Sequence, residues 1–322
     1  MSLSINHLRG EEKSAPASSA PPPTSLPRRP KHRDNLAGYF FLSPWFIGLI
    51  LIVAGPLLAS LYLSFTDYSA FGRPKWVGLE NYITAFTADP RMWASAQVTL
   101  TYVAVSVPVV LVFSLLLASA LNKGLKFLAG YRAIFYLPSL IGGSVAIALL
   151  WRKVFGSDGL VNSALGWLGI DHDTSWIGSP SSALSTLIIL HVWQFGASMV
   201  IFLAGLRQVP ESLYEAARLD GAGRVRQFIS VTLPMISPII LFNVLMNTIH
   251  AFQAFNSAYI ISAGSGGPAD STLFFTLYLY QRGFVNFEFG YASALGWILI
   301  LGIAGAVAGL FAMSRKLVHY GD

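Results

Sequence analysis

Asn243, Asn247, His250, Gln253 and Ser257 recur every three or four residues through an otherwise apolar stretch, with Asn256 at the edge of the stripe. A second stripe, His191, Gln194 and Ser198, lies beside Trp193 in another apolar stretch. At that spacing each set shares one face of a helix. Amides, imidazoles and hydroxyls both donate and accept, so the chemistry they offer is uncharged hydrogen bonding to a group that is equally two-sided. The hydroxyls of a sugar-like solute answer that description, and a sugar's apolar ring face can stack on Trp193, Phe252 or Tyr259. The plainer reading is hydrogen bonding between helices, worth about 1 kcal/mol each. Either way an unpaired amide in an apolar medium is costly, so these groups must face protein or a watery cavity.

Several chemistries are excluded. No Asp or Glu lies in the apolar stretches away from their ends, and no Lys or Arg lies in their interiors. Carriers driven by protons or sodium place ionisable or ion-coordinating groups there, which argues against a secondary transporter. His191 and His250 lack carboxylate or thiolate companions at metal-ligand spacing, so no metal site is expected. The chain has no cysteine, and no Gly-rich loop ending in Gly-Lys-Ser/Thr to hold a nucleotide. A membrane-embedded enzyme would need convergent titratable groups; His172 with Asp171 and Asp173 is the one cluster to weigh, and it reads as a solvated loop.

The elements that must position the stripes are membrane helices. Hydrophobic residues make up 54% of the 322 and charged ones 11%, against about 45–50% and about 25% in soluble domains. Apolar stretches at about 39–66, 94–121, 132–151, 183–206, 235–262 and 291–313 predict six spans in an all-α fold. Residues 1–34, with Pro21-Pro22-Pro23 and a basic end, read as a disordered cytoplasmic tail, and 35–322 as the transmembrane domain. With both termini in the cytoplasm, 15 Lys and Arg lie inside and 6 outside, as the positive-inside rule requires. That explains the net charge of +6 without nucleic acid. Gly302, Gly305 and Gly309 form a small-residue face suited to close packing inside the bundle.

The segment 207–234 is too long and too charged for a simple connection. Pro210 suits a first helical position, Glu211 complements the positive helix end, and Gly221 suits a terminating residue with positive φ. Leu213, Tyr214 and Ala217 share a face, and Arg224 to Ser230 predicts a second helix crossing the first.

Glu215-Ala216-Ala217, Gly221 and Leu233-Pro234 closely resemble the cytoplasmic EAA loop of binding-protein-dependent ABC importer permeases, with Val231 where the family prefers Ile. The resemblance extends over about 36–322: Ser64–Tyr68, Val77–Tyr82, Arg132–Pro138 and Gly266-Gly267-Pro268 are similar to stretches of the carbohydrate, maltose-type (type I) subgroup. It implies a type I permease fold in a bacterial or archaeal cytoplasmic (inner) membrane, multi-pass, with both termini cytoplasmic. It also implies coupling through Tyr214, Glu215, Ala216, Ala217, Asp220 and Gly221 in a helix that docks in a groove on an ATPase. The implied partners are a second permease subunit, two cytoplasmic ATPase subunits that bind ATP and Mg, an extracytoplasmic solute-binding protein and the lipid bilayer. The chain itself would hold no cofactor and would not be an enzyme. Gln253 and Asn256 match two amide positions that touch sugar in the maltose-type member, although both are Asn there and Gln253 departs from it. Together with Asn247, His250, Trp193, Gln194, Ser198 and Tyr259 they make the expected substrate path. The same machinery serving a polyol, glycerol phosphate or another small solute is the nearest alternative.

The topology is directly testable because the chain carries no cysteine. A cysteine introduced near Gly223 should react with a membrane-impermeant thiol reagent only from the cytoplasmic side, and one near Ser175 only from outside. The opposite labelling would overturn the orientation.

Overall fold

The computed structural model describes residues 31–122, 127–170 and 174–317, so most of the expected tail and the Asp171–Asp173 cluster lie outside the described residues. The chain divides into two compact units, Met1–Gly55 and Pro56–Asp322. In the first, α1 (Lys31–Gly48) runs into a π-helical turn at Leu49–Ala54, and its apolar side chains are exposed. The helix already begins inside the expected tail, at Lys31.

The second unit opens at Pro56, within α2 (Gly55–Ser64), and goes on to a small antiparallel ribbon, β1 (Thr66–Asp67) on β2 (Lys75–Trp76), followed by α3 (Glu80–Thr87). Asn81 donates to the carbonyls of Ser64 (2.9 Å) and Thr66 (3.0 Å), and the Tyr82 hydroxyl donates to Ser64 Oγ (2.8 Å). The two motif stretches 64–68 and 77–82 are therefore one folded corner.

Next comes the mast of the unit, α4 (Pro90–Leu121). Asp89 caps it, accepting from the N–H groups of Arg91 and Met92, and Pro90 occupies a position where a missing donor costs nothing. Met92, Ser95, Thr99, Tyr102, Ser106, Val110, Ser114, Ala118 and Leu121 are buried at three- and four-residue spacing, a single face packed mainly on α9 and α13. Around it stand α5 (Leu128–Ile141), α6 (Val145–Val154), α7 (Leu160–Trp167), α8 (Ala183–Trp193) and α9 (Gly196–Leu206). Then follow α10 (Glu211–Leu219), α11 (Arg224–Gln227), α12 (Leu233–Met235), α13 (Ser237–Phe252), α14 (Asn256–Ile261), α15 (Phe275–Tyr280) and α16 (Phe289–Leu317).

Among the described residues four stretches are long and apolar enough to cross a membrane: Gly38–Ser64, Pro90–Leu121, Ser237–Ile261 and Phe289–Arg315. The remaining two expected spans are bent. The α5–α6 pair turns by 97° at Gly142–Ser144, where Ser144 starts α6 afresh by accepting from the Ile147 N–H, and α8–α9 turns by 42°. The expected span at 132–151 is thus a broken one. Around Gly302, Gly305 and Gly309 a side chain would meet nothing within 4 Å, so within Pro56–Asp322 this face of α16 packs on no described neighbour.

At the end of the bundle opposite α10, α15 lies against α4 as a crosspiece whose Phe275, Leu277 and Tyr278 are buried, as is Phe274 just before it. The hydroxyls of Tyr278 (2.6 Å) and Tyr291 (2.5 Å) both donate to Asp89 Oδ2, joining the first turn of α4 to α15 and α16. Arg91 forks onto both oxygens of Asp270 (3.0 and 2.8 Å), and Arg282 pairs with Glu288 (2.8 Å) while lying 4.6 Å over the Tyr291 ring. Burial by itself would raise the Asp89 carboxyl, but the bonds from Tyr278, Tyr291 and Met92 hold it below the usual value of 3.8. A lowered carboxyl stabilises the fold above its unfolded pKa and loses that contribution as pH falls through the lower folded value, so the stabilisation is complete at neutral pH.

Asp89→Ala removes the cap and both tyrosine bonds together. The expected loss is about 2–4 kcal/mol, read as a lower thermal midpoint of the detergent-solubilised protein at pH 7 and as faster amide exchange across 275–291.

Candidate functional site

Three interrupted helices meet at one place. The α13–α14 helix is broken at Gln253–Phe255, α8–α9 at Gln194–Phe195, and α5–α6 at Gly142–Ser144. Backbone that leaves the helix in a membrane needs protein or water to satisfy it, and the three breaks share a cavity of about 440 Å³. Asn247, His250, Gln253, Asn256 and Ser257 line one side, His191 and Gln194 another, and Ser139 and Ser144 a third, with Tyr102 contributed by α4. The volume falls within the range of about 300–1,000 Å³ typical of small-molecule sites. Its lining carries amide, imidazole and hydroxyl groups and no carboxylate, ammonium or guanidinium.

Local packing sets each group. Gln194 donates to the Leu190 carbonyl (3.2 Å), and its side chain fits because residue 142 is glycine: a Cβ there would lie 2.3 Å from Gln194 Cγ. Asn247 donates to Ser198 Oγ (3.0 Å) and to the Asn243 carbonyl (2.9 Å). His191 Nε2 is buried and has no hydrogen-bond partner among the described residues, and its ring meets Tyr102 edge-on at 5.7 Å. Gln253 and Asn256 are exposed at the break itself.

Of the residues expected in the path, Gln194, Asn247, His250, Gln253 and Asn256 are brought together, whereas three are not. Ser198 lies behind Asn247 as its hydrogen-bond acceptor, Trp193 packs on Trp151 at 5.8 Å, and Tyr259 stands in an aromatic group with Phe255 and Tyr280. Phe252 is core. The expected stacking platform therefore does not face the cavity. Tyr102, Ser139 and Ser144 were missed; the run Ser95, Thr99, Tyr102, Ser106 carries the same three- and four-residue signal as the other stripes. Among the described residues no group of three metal-ligating side chains occurs.

At the other end of the bundle α10 starts at Glu211, one residue later than expected, with Pro210 just outside it in extended conformation. The helix ends as its sequence predicts. Gly221 has φ of +75°, its N–H reaches the Arg218 carbonyl (3.0 Å), and the Ala222 N–H reaches Ala217 (2.9 Å), the paired bonds of a Schellman cap. Tyr214 and Ala217 turn inward while Glu215, Ala216 and Asp220 are exposed, as are Leu219 (90%) and Val225 (73%). The expected second helix is continuous from Arg224 to Met235 through a π-helical stretch at Phe228–Thr232, and Tyr214 Oη bonds Thr232 Oγ1 at 2.8 Å.

A bundle of interrupted membrane helices around an uncharged polar cavity, with a capped amphipathic helix at one end, defines a transport permease. Residues 127–317 match the family "Binding-protein-dependent transport system inner membrane component", and the chain belongs to it, as a multi-pass inner-membrane protein. It is 52% identical over 288 residues to the probable ABC transporter permease protein YesP of Bacillus subtilis (strain 168), covering 89% of this chain and 93% of that one. It is 33% identical to the lactose transport system permease protein LacF of Rhizobium radiobacter, over 85% of this chain and 92% of the relative. Its fold matches a chain in the crystal structure of a bacterial alginate ABC transporter in complex with alginate pentasaccharide-bound periplasmic protein, with TM-score 0.77, 24% identity and coverage of 90% and 98%.

Glu215→Lys reverses charge on the exposed face of α10, and Gly221→Pro cannot adopt the positive φ of the cap. If α10 docks on an ATPase as the sequence resemblance implies, both lower coupled ATP hydrolysis at least about tenfold, equivalent to about 1.4 kcal/mol, with membrane insertion unchanged. ATP hydrolysis by the assembled, reconstituted transporter is the measurement, and wild-type rates in both variants would remove α10 from the coupling path.

Proposed function

We propose that this chain is the transmembrane subunit of an ATP-driven sugar importer, forming half of the translocation path with a second permease subunit. Two cytoplasmic ATPase subunits bind ATP and Mg, and an extracytoplasmic binding protein delivers the solute. The observation that carries the sugar reading is the cavity of about 440 Å³ lined by amides, imidazoles and hydroxyls without a charged side chain. Each of these groups can answer a hydroxyl as donor or acceptor. The similarity to a lactose transport system permease supports the same reading.

The path from ATPase to cavity runs through covalent and hydrogen-bonded steps. The ATPases act on α10 through Glu215, Ala216 and the apolar tip at Leu219. Tyr214 passes the displacement to Thr232, near the end of the helical run Arg224–Met235, which leads through a turn at Ile236 into α13. That helix carries Asn247 and His250 on its cavity face and ends at the break bearing Gln253. Rocking α13 exposes the cavity to each side in turn, and the solute contributes to transport only what differs between its interactions in the two states.

A glycerol phosphate or another anionic solute is the competing class, and the uncharged lining disfavours it. Radiolabelled lactose and sn-glycerol 3-phosphate, offered to the complete reconstituted transporter, separate the two: uptake of the phosphate ester alone would overturn the sugar reading. Gln253→Leu with Asn256→Leu should assemble normally, because Leu is well tolerated in membrane helices. With two hydrogen bonds lost, half-saturation for the transported sugar should rise about 5- to 150-fold. Unchanged half-saturation would move the site to the partner permease.

A further inference from the structure

The break at Gln253–Phe255 presents Gln253 and Asn256, and something must hold its shape. Residues 253–255 belong to neither α13 nor α14, and none of them is glycine or proline, so the local sequence does not impose the interruption. Gln253 N–H still reaches back to the Ile249 carbonyl (3.2 Å), and α14 restarts with the Tyr259 N–H on Phe255 (2.9 Å). Between these two, the Ala254 carbonyl accepts from the Thr276 hydroxyl at 2.5 Å, across 22 positions of sequence.

Thr276 stands on the crosspiece α15, which is itself fixed to the mast. The Phe275 N–H donates to Thr99 Oγ1 (2.8 Å), Thr99 donates to the Ser95 carbonyl (2.8 Å), and Tyr278 donates to Asp89 (2.6 Å). Residues on either side of Thr276 are thus tied to α4, while Thr276 reaches the break through its hydroxyl and Tyr280 reaches it through a ring contact with Phe255 at 5.2 Å. Ala254 itself lines the cavity.

We propose that Thr276 is a positioning residue for the cavity: its hydroxyl holds the Ala254 carbonyl and thereby sets where Gln253 and Asn256 point. This rests on reading the cavity as the solute site. A β-branched side chain suits the task because its restricted χ1 keeps the hydroxyl aimed at one acceptor. Valine has the same shape and no donor, so Thr276→Val leaves the Ala254 carbonyl without this partner, and serine restores the donor.

The test uses the full transporter, assembled with its partner subunits, in which a single cysteine is placed at Asn256→Cys in a chain that has none of its own. The probe is a cationic, membrane-impermeant methanethiosulfonate reagent, and the readout is its rate of reaction. With Thr276→Val that rate should change about fivefold, the worth of one net hydrogen bond, and with Thr276→Ser it should return to the parent value. A reference cysteine at Trp167→Cys, exposed at the end of α7 outside the apolar spans, should react at the same rate in all three backgrounds. An unchanged rate at position 256 overturns the assignment. So does a change shared by position 167, or one that serine fails to reverse, because either would mark general loosening. The sugar uptake of the Gln253→Leu, Asn256→Leu double variant is read in parallel. Normal uptake there sinks the solute reading alone, whereas an unresponsive cysteine sinks the role of Thr276 alone.

Discussion

In a bilayer the backbone has no water to fall back on, and the architecture of this chain follows from that constraint. An unpaired N–H or C=O in hydrocarbon costs several kcal/mol, so a membrane helix is interrupted only where protein or a wet cavity meets the freed groups. Three interruptions in this bundle gather around one cavity. Each exposes the end of a helix to the same space and brings its neighbouring polar side chains with it. The cavity and the breaks are one feature: the breaks need the cavity's polarity, and the cavity owes its shape to the breaks.

The two ends of the bundle manage their polar groups differently. At the end carrying the crosspiece, Asp89 serves three masters, capping α4 and accepting from tyrosines on α15 and α16. Arg282 adds a pair with Glu288 and a contact over the Tyr291 ring. At the end carrying α10, a hydrogen bond between the Tyr214 and Thr232 hydroxyls ties the amphipathic helix to the helical segment that follows it. The exposed ion pair of Arg218 with Glu211, at 3.4 Å, lies within α10 and adds little.

Much of this was legible in the sequence, for reasons that can be named. The stripe from Asn247 to Asn256 was visible because an amide in an apolar run has few places to go, and the end of α10 because Gly221 suits the backbone angle a Schellman cap demands. The capped helix and the shared cavity face of five path residues followed. What remained hidden depends on contacts between distant residues. Tyr278 and Tyr291 meet Asp89 across 189 and 202 positions. The run from Leu273 to Tyr280 is apolar but too short to span, so nothing local marks it as a buried crosspiece. The break after Phe252 carries no Gly or Pro. Gly142-Gly143 did advertise a bend, yet the apolar content of 132–151 outweighed it. Conversely the spacing of Gly302, Gly305 and Gly309 suggested close packing, and spacing alone carries no information about which way a face points.

The contrast between the two ends has a mechanical reading. A beam clamped at one end and lightly hinged at the other concentrates its deflection near the hinge. The clamp at the crosspiece end ties three helices to a single carboxylate, Asp89. On the coupling proposed above, a push at α10 would enter α13 from its lightly tied end, and the interruption at residue 253 closes that helix at its other terminus. Within Pro56–Asp322 the polar ties are graded from one end of the bundle to the other, from a carboxylate shared by three helices to a hydrogen bond between two hydroxyls.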